Sequence, residues 1–472
     1  MNSLAFQHSP GSSALSSLPA FRTAPKVSAT SAPVSGRRAI DFTGLLARAL
    51  SPFARVEPSE AVGVVLMAAT VFLLLTAYYL LKIAREPLIL LGGGAEVKSY
   101  ASAGQALLLI VVVKGFTTLS QRVGRLRLVT LVTLFFVANL VIFFALGRLG
   151  FPLGIPFYLW VGVFSVTAIG QFWSLANDLV TPEQGKRLFA VIGIGSSLGA
   201  VFGARVARAL YGVVGLWGLM LAAAVVLLGS LGLTALASRA FERQARGAPA
   251  RAPLARAGGF ALLAKDRYLQ LIAVLVVVLN LVNTTGEYVL DRSLLSSVAG
   301  QPMAAGAAAI ALFKARYFQW VNIASVALQL FAVSRIMRYL GMRVALLVLP
   351  LVALGGYGLM AFVPLLSIAF ATKVAENSVD YSLQNTARQA LFLPTSREAK
   401  YQAKVTIDTI LVRGGDVLSA LVVWLGIHLH AQLRTFALLN VAFAATWIVL
   451  AWRLAARHAR VNAAAATAAA TA

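Results

Sequence analysis

About a dozen apolar runs, each near the ~20 residues that cross a hydrocarbon layer, follow one another between residues 61 and 454. Such runs leave few folds open. In lipid every backbone N–H and C=O must be satisfied inside the protein, and runs of this length without strict alternation do so as helices. The expected crossings are 61–81, 99–119, 128–148, 155–176, 188–210 and 216–237, then 268–290, 310–333, 343–363, 366–387, 404–426 and 433–454. Composition points the same way. The chain of 472 residues is 59% hydrophobic and 12% charged, with a mean hydropathy of +0.82. A water-soluble globule could not hide so much apolar surface, so lipid is the solvent. The fold class expected is an all-α polytopic membrane protein of about 12 transmembrane helices.

The 41 Lys and Arg outnumber the 16 Asp and Glu, for a net charge of +25. No nucleic-acid-binding signature accompanies that charge, and the cations fall in alternate connections. One set carries Arg122, Arg125 and Arg127, then Lys186 and Arg187, then the basic segment 238–267. It continues with Arg335, Arg338, Arg343, Arg397 and Lys400, and ends in Arg453, Arg457 and Arg460. The other connections are short and poorer in charge. Cytoplasmic loops facing anionic headgroups show this pattern, which predicts both termini in the cytoplasm and an even number of crossings. Residues 1–60 read as a disordered cytoplasmic tail with a short interfacial helix, 238–267 as a basic cytoplasmic linker and 455–472 as a disordered tail. An organelle transit peptide shares the acid-free, Ser- and Ala-rich composition of 1–40. A bacterial cell membrane is the location expected ahead of an organelle envelope.

Several chemistries find no support. There is no Cys, and the four His lie near the termini or at a helix end without metal-ligand spacing. No phosphate-binding Gly-x-x-x-x-Gly-Lys-Ser/Thr is present, so no ATP-driven pump is encoded. No enzyme activity, cofactor or metal is expected; the expected partners are a small-molecule substrate and the bilayer, and the expected state is a monomer.

The linker divides the chain into two bundles of six helices, 61–237 and 268–454, and the halves echo one another. The stretch Phe172 to Gly195 and the stretch Val379 to Arg413 each run from an aromatic–Ser–Leu through Asn to a Pro-containing loop. Each then passes an acid and basic residues into a new apolar helix. Arg122-Val-Gly124-Arg125 and Arg338-Tyr-Leu-Gly341-Met-Arg343 follow the second helix of each half. Lys82, Arg85 and Glu86 end helix one as Glu287, Asp291 and Arg292 end helix seven. Paired six-helix halves with a site between them are the architecture of major-facilitator-like transporters.

A charge within the bilayer faces protein or water and marks a functional site. Lys82, Arg85, Glu287, Arg413 and Asp416 lie on helices one, seven and eleven, and Lys373, Glu376 and Asp380 on helix ten. Together they predict one central cavity. Its cations suit an anionic substrate, since Arg holds phosphate bidentately and Lys acts as a point charge. Arg388 would guard the mouth, and Glu376, Asp380 and Asp408 would serve coupling or gating. Tyr78, Tyr79, Phe172, Trp173 and Tyr381 are aromatics able to stack on a base or ring.

At these residues the sequence resembles the nucleotide transporter (ATP/ADP translocase) family, a major-facilitator-like group. The pieces that carry the likeness are Leu81-Lys82-Ile-Ala-Arg85-Glu86 with Gly94-Ala95-Glu96, and Phe172-Trp173 with Ala176-Asn177, Lys186-Arg187 and Gly193-x-Gly195. Tyr381-Ser382-Leu383 with Arg388 and Pro394, then Lys400, Lys404 and Asp408, complete it. The resemblance implies a carrier that exchanges ATP for ADP, or moves related nucleotides, without hydrolysis. It places substrate binding at Lys82, Arg85, Glu86, Asn283, Glu287, Arg388 and Arg413. The chain departs from the family at Arg85-Glu86 (usually Lys-Asp), Tyr158 and Asn283 (usually acidic) and Asp380 (usually Lys). Two other readings stay open: a proton-coupled facilitator-type carrier of another solute, and a membrane protein that binds partners and transports nothing.

Overall fold

A computed structural model describes residues 42–51, 54–242, 259–396 and 399–471, and its regular elements are all helical. Helix α1 spans Phe42–Leu50. The run Pro58–Arg122 is helical except at Gly94, whose φ of 82° folds it back into two crossings, α2 (58–93) and α3 (95–122). Positive φ is costly for any residue with a Cβ, which is why glycine sits at the turn. Helices α4, Arg125–Arg148, and α5, Gly154–Leu179, follow. Pro182–Glu242 is broken in the same way at Gly215 into α6 (182–214) and α7 (216–242). The short α8, Gly259–Lys265, leads to α9, Arg267–Ser297. Helix α10 starts as Met303–Leu328 and continues through two π-helical turns to Leu340. Helix α11 is Gly341–Phe362, and α12 runs from Leu366–Val379 through a π-helical turn to Asn385–Leu391. Helix α13 runs from Ala399 through two π-helical turns, Ala399–Ala403 and Ile407–Leu411, into Val412–His428, and α14 is Leu433–Thr471.

Eight of these stretches are long and apolar enough to cross a membrane, and two of the eight are the bent runs that cross twice. The crossings α10 and α12 fall short of that apolarity because Lys314, Arg316, Lys373 and Glu376 lie within them. The twelve expected crossings are thereby accounted for, six on each side of the linker. The turns repeat with the halves: Gly94 and Gly300 (φ 77°) follow the first helix of each, and Gly215 and His430 (φ 51°) follow the fifth. The face of the bundle nearest residue 58 and the linker is called the terminal face below, and its opposite the far face.

Three boundaries differ from expectation. Helix one does not end at Lys82, Arg85 and Glu86 but runs on to Gly93, because Arg85 and Glu86 find internal partners and nothing forces the chain out of the membrane there. Gly92 and Gly93 are helical and only Gly94 turns. Pro87 lies inside α2, where its missing N–H and its ring loosen the helix one residue after Glu86. Helix α14 continues to Thr471 in place of a disordered tail from 455, in keeping with the high helix propensity of alanine. Most of the expected N-terminal tail, and residues 243–258 of the linker, lie outside the described residues.

Packing in the first half centres on a stripe of small residues. A Cβ at Gly195 would stand 2.3 Å from the carbonyl oxygen of Ala68, and one at Gly199 would stand 2.4 Å from that of Phe72. At Gly203 it would stand 2.8 Å from the Cα of Thr76. Helices α6 and α2 therefore touch backbone to backbone, advancing four residues at a step, as helices do in lipid where apolar surface alone gives no drive to associate. At the terminal face the same pair is tied by Arg187, which donates to both oxygens of Glu60 at 2.7 and 2.8 Å. Helix α4 is an outer helix: few of its residues are buried, and Leu131, Phe135 and Ile142 face outward to lipid.

Candidate functional site

Between the halves lies a polar cavity of about 220 Å³. Its walls come from α2, α3 and α5 in the first half and from α9, α10, α12 and α13 in the second. Each wall helix brings its polar side chains inward because the opposite face meets apolar neighbours or lipid.

Lys82 projects into the cavity without joining any ion pair among the described residues, and its ammonium rests 4.1 Å from the ring centre of Phe318. One turn on, Arg85 stacks 4.5 Å over the ring of Tyr158 and reaches Glu86 with Nε at 3.2 Å. The aromatic ring at 158 thus supplies a cation–π contact.

Toward the far face the cavity is closed by a buried ionic cluster. Lys98 of α3 reaches Glu86 at 2.6 Å, Asp291 at 2.7 Å and Glu287 at 3.1 Å. Lys314 of α10 pairs with Asp291 and lies 3.5 Å from Glu86. Tyr288 adds a hydrogen bond to Glu96 across the halves at 3.2 Å. The three carboxylates lie within 4.8 Å of one another, close enough to hold a cation, and the two ammonium groups fill that role. Among the described residues every ion pair that joins the two halves belongs to this cluster. Pairs near the terminal face, such as Glu60 with Arg187 and Arg388 with Asp408, stay within one half.

On the second half Arg413 donates to Asp416 at 3.1 Å. Asp416 is fixed in turn by Asn280 at 2.8 Å and Thr284 at 2.9 Å. Of the residues expected to bind substrate, Lys82, Arg85, Asn283, Glu287 and Arg413 line the cavity. Glu86 lies fully buried behind the wall. Arg388 stands apart, 3.9 Å from Asp408, which Lys404 also approaches at 4.0 Å.

Helix α12, the tenth expected crossing, behaves differently from expectation. Its charges do not face the cavity; Asn377 and Tyr381 do. Lys373 donates to Glu376 at 3.0 Å and to the Asn283 side chain at 2.6 Å, and Tyr357 donates to Glu376 at 2.5 Å. That closed group, buried between α9, α11 and α12, fixes helix positions. Asp380 is half-buried in a π-helical turn beside the wall and joins no ion pair among the described residues. Of the aromatics, Tyr78 and Tyr381 line the cavity, and Tyr79 is buried, donating to Asn322 at 2.9 Å. Phe172 and Trp173 lie elsewhere, with Trp173 against Phe189.

Sequence reasoning missed Lys98 and Lys314. Lys98 sits just past the Gly94 turn, in what reads as a loop. Lys314 carried a usable signal, a lone cation inside an apolar helix.

A model of the TLC ATP/ADP transporter family matches residues 155–365. The matched region contains Tyr158, Asn283, Glu287 and Asp291, while Lys82 and Arg413 lie outside it. No curated protein matches the chain. Among solved structures, a bacterial homolog of the human lysosomal transporter Spinster, inward-facing and unoccupied, superposes with a TM-score of 0.58 at 15% identity, covering 85% of this chain and 99% of that one. A bacterial homologue of the iron transporter ferroportin, also inward-facing, gives 0.60 at 14% identity, with coverage of 83% and 98%. The nucleoside transporter NupG gives 0.56 at 13% identity, with coverage of 84% and 98%. At such identities the likeness shows the fold. The chain is a multi-pass membrane protein with the major-facilitator-like fold of these solved structures, and over residues 155–365 it resembles the TLC ATP/ADP transporter family.

Proposed function

We propose that this chain moves a phosphorylated anion, such as a nucleotide, by alternating access through the central cavity. The observation that carries this reading is Lys82, a cavity cation that joins no ion pair among the described residues. Arg85 beside it spends one nitrogen on Glu86 and keeps the rest of its planar fork for a phosphate. Tyr78 and Tyr381 offer ring faces for a base. With the basic loops in the cytoplasm, the far face is external. The ionic cluster then closes the outer end, which is the inward-facing arrangement. A single chain acting alone in a bacterial cell membrane is the simplest setting for this carrier.

The test is uptake of labelled nucleotides of each phosphate count into proteoliposomes. Uptake that falls on the order of tenfold or more in Lys82→Ala supports the reading, given the loss of a charge-assisted contact. Nucleotide uptake no faster than in empty liposomes, or unchanged in Lys82→Ala, sinks it. One observation favours a second reading, coupling to protons: Asp380 is a half-buried carboxylate without an ion-pair partner among the described residues. In that case an imposed pH gradient drives uptake, and Asp380→Asn abolishes the dependence.

A further inference from the structure

The hydrogen bonds around Asn280 and Asn283 fix what each amide can offer the cavity. Both residues line it from α9, three positions apart and so neighbours along one helix face. The Nδ2 of Asn280 donates to the carbonyl oxygen of Val412 at 2.6 Å and to Asp416 at 2.8 Å. A carbonyl and a carboxylate only accept, so this end of the amide must be the nitrogen, and both its hydrogens are spent. What Asn280 has left is Oδ1, an acceptor.

Asn283 is held the other way round. The Lys373 ammonium donates to its Oδ1 at 2.6 Å and to its backbone oxygen at 3.1 Å. An ammonium only donates, so this end must be the oxygen, and Nδ2 remains as a donor. Lys373 is itself held, because Glu376 takes a further hydrogen at 3.0 Å and Tyr357 donates to the same carboxylate. Among the described residues neither the Asn280 oxygen nor the Asn283 nitrogen has a hydrogen-bond partner.

Resting on the anion reading above, we propose that Asn280 and Asn283 read the neutral part of the substrate, as a fixed acceptor beside a fixed donor, and that Lys373 is the positioning residue that sets the polarity of Asn283. The group that fits such a pair is a planar ring edge with an N–H beside a ring nitrogen or carbonyl oxygen, as on a nucleobase. Tyr78 and Tyr381, one from each half, supply ring faces for it. Lys82 and Arg85 hold the anionic end on the first half, which leaves the base to α9 on the second. A base that matches only one of the two amides leaves the other unpaired, and neither amide can turn to compensate. The arrangement therefore selects among bases.

The experiment is thermal stabilisation of the purified full chain in detergent by tripolyphosphate, ATP and GTP, three ligands of equal phosphate count. A ligand that binds only the folded state raises the unfolding midpoint, and the shifts give relative affinities. Expected in the unaltered protein is a larger shift from at least one nucleotide than from tripolyphosphate. Asn283→Asp keeps an oxygen for Lys373 and turns the donor into a second acceptor. Its added charge weakens all three ligands alike, but guanine carries two adjacent donors and adenine one. The ratio of GTP to ATP affinity should rise on the order of tenfold, the value of one hydrogen bond exchanged for a mismatch. Lys373→Met combined with Glu376→Gln removes both charges at once and frees the Asn283 amide to turn. The ratio should then move in the same direction by a smaller factor, whereas a purely structural role for Lys373 would lower the midpoint and leave the ratio alone. An unchanged ratio in the double variant overturns the positioning role. An unchanged ratio in Asn283→Asp, or nucleotide shifts no larger than that of tripolyphosphate in the unaltered protein, overturns the whole inference and leaves the anion reading standing. No shift from any of the three removes the anion reading and this inference with it.

Discussion

Gly286 shows how tightly single positions are set around the site. A Cβ there would stand 1.6 Å from the hydroxyl oxygen of Tyr357, the group that donates to Glu376. Gly286→Ala must push the phenol aside and leave a buried carboxylate short of a donor. The expected cost is about 1–3 kcal/mol, seen as a lower midpoint of thermal unfolding in detergent. Adding Tyr357→Phe should restore part of the loss, whereas an unchanged midpoint for Gly286→Ala alone would contradict the packing. At this scale the sequence showed which residues were out of place in lipid, and Lys82, Arg85, Glu287 and Arg413 do meet at the cavity. It did not show which charges cancel. Lys373 and Glu376 read as site residues but satisfy each other, while Lys98 read as a loop residue but holds three carboxylates. Pairing depends on neighbours from helices far apart in the chain.

At the scale of elements, two contacts govern what can move. The glycine stripe of α6 locks it to α2 with no space for a side chain. Gly199→Val should therefore split that pair and cost on the order of 3 kcal/mol or more, since the clash is with backbone and cannot be relieved by a rotamer change. Loss of the monodisperse peak in size-exclusion chromatography would show it, and a well-folded variant would refute the close approach. The second contact is the ionic cluster that joins the halves at the far face. Lys98→Met leaves Glu86, Glu287 and Asp291 with Lys314 and Arg85 alone, and breaking one partner of a buried group typically costs about 3–5 kcal/mol. The far end should open more often. Because the chain has no cysteine, Ser102→Cys on the cavity wall provides a single label. An impermeant thiol reagent applied from the far side should modify it several-fold faster in the Lys98→Met background, an effect on the order of that broken pairing. Equal rates would mean that the cluster does not hold the gate. The π-helical turns in α10, α12 and α13 all belong to the second half among the described residues, which marks it as the half with looser helices near the terminal face.

For the whole molecule, orientation is the open physical variable, and the basic connections argue for it. Fusions of a fluorescent protein after the C-terminus should be bright in bacterial cells, and alkaline phosphatase fused there should be inactive. An active phosphatase would place the terminal face outside and invert the gate described above. The number of crossings, their helical nature and the division into two halves were legible in the chain alone, because lipid imposes length and backbone satisfaction on each segment separately. The excess of cations was legible too, as was the fact that some lie within the membrane. Which of them remain uncancelled was decided only by the tertiary structure. Charge compensation depends on contacts between distant helices: it joins Lys98 to Asp291 and Lys314 to Glu86, and leaves Lys82 facing the cavity outside every ion pair among the described residues.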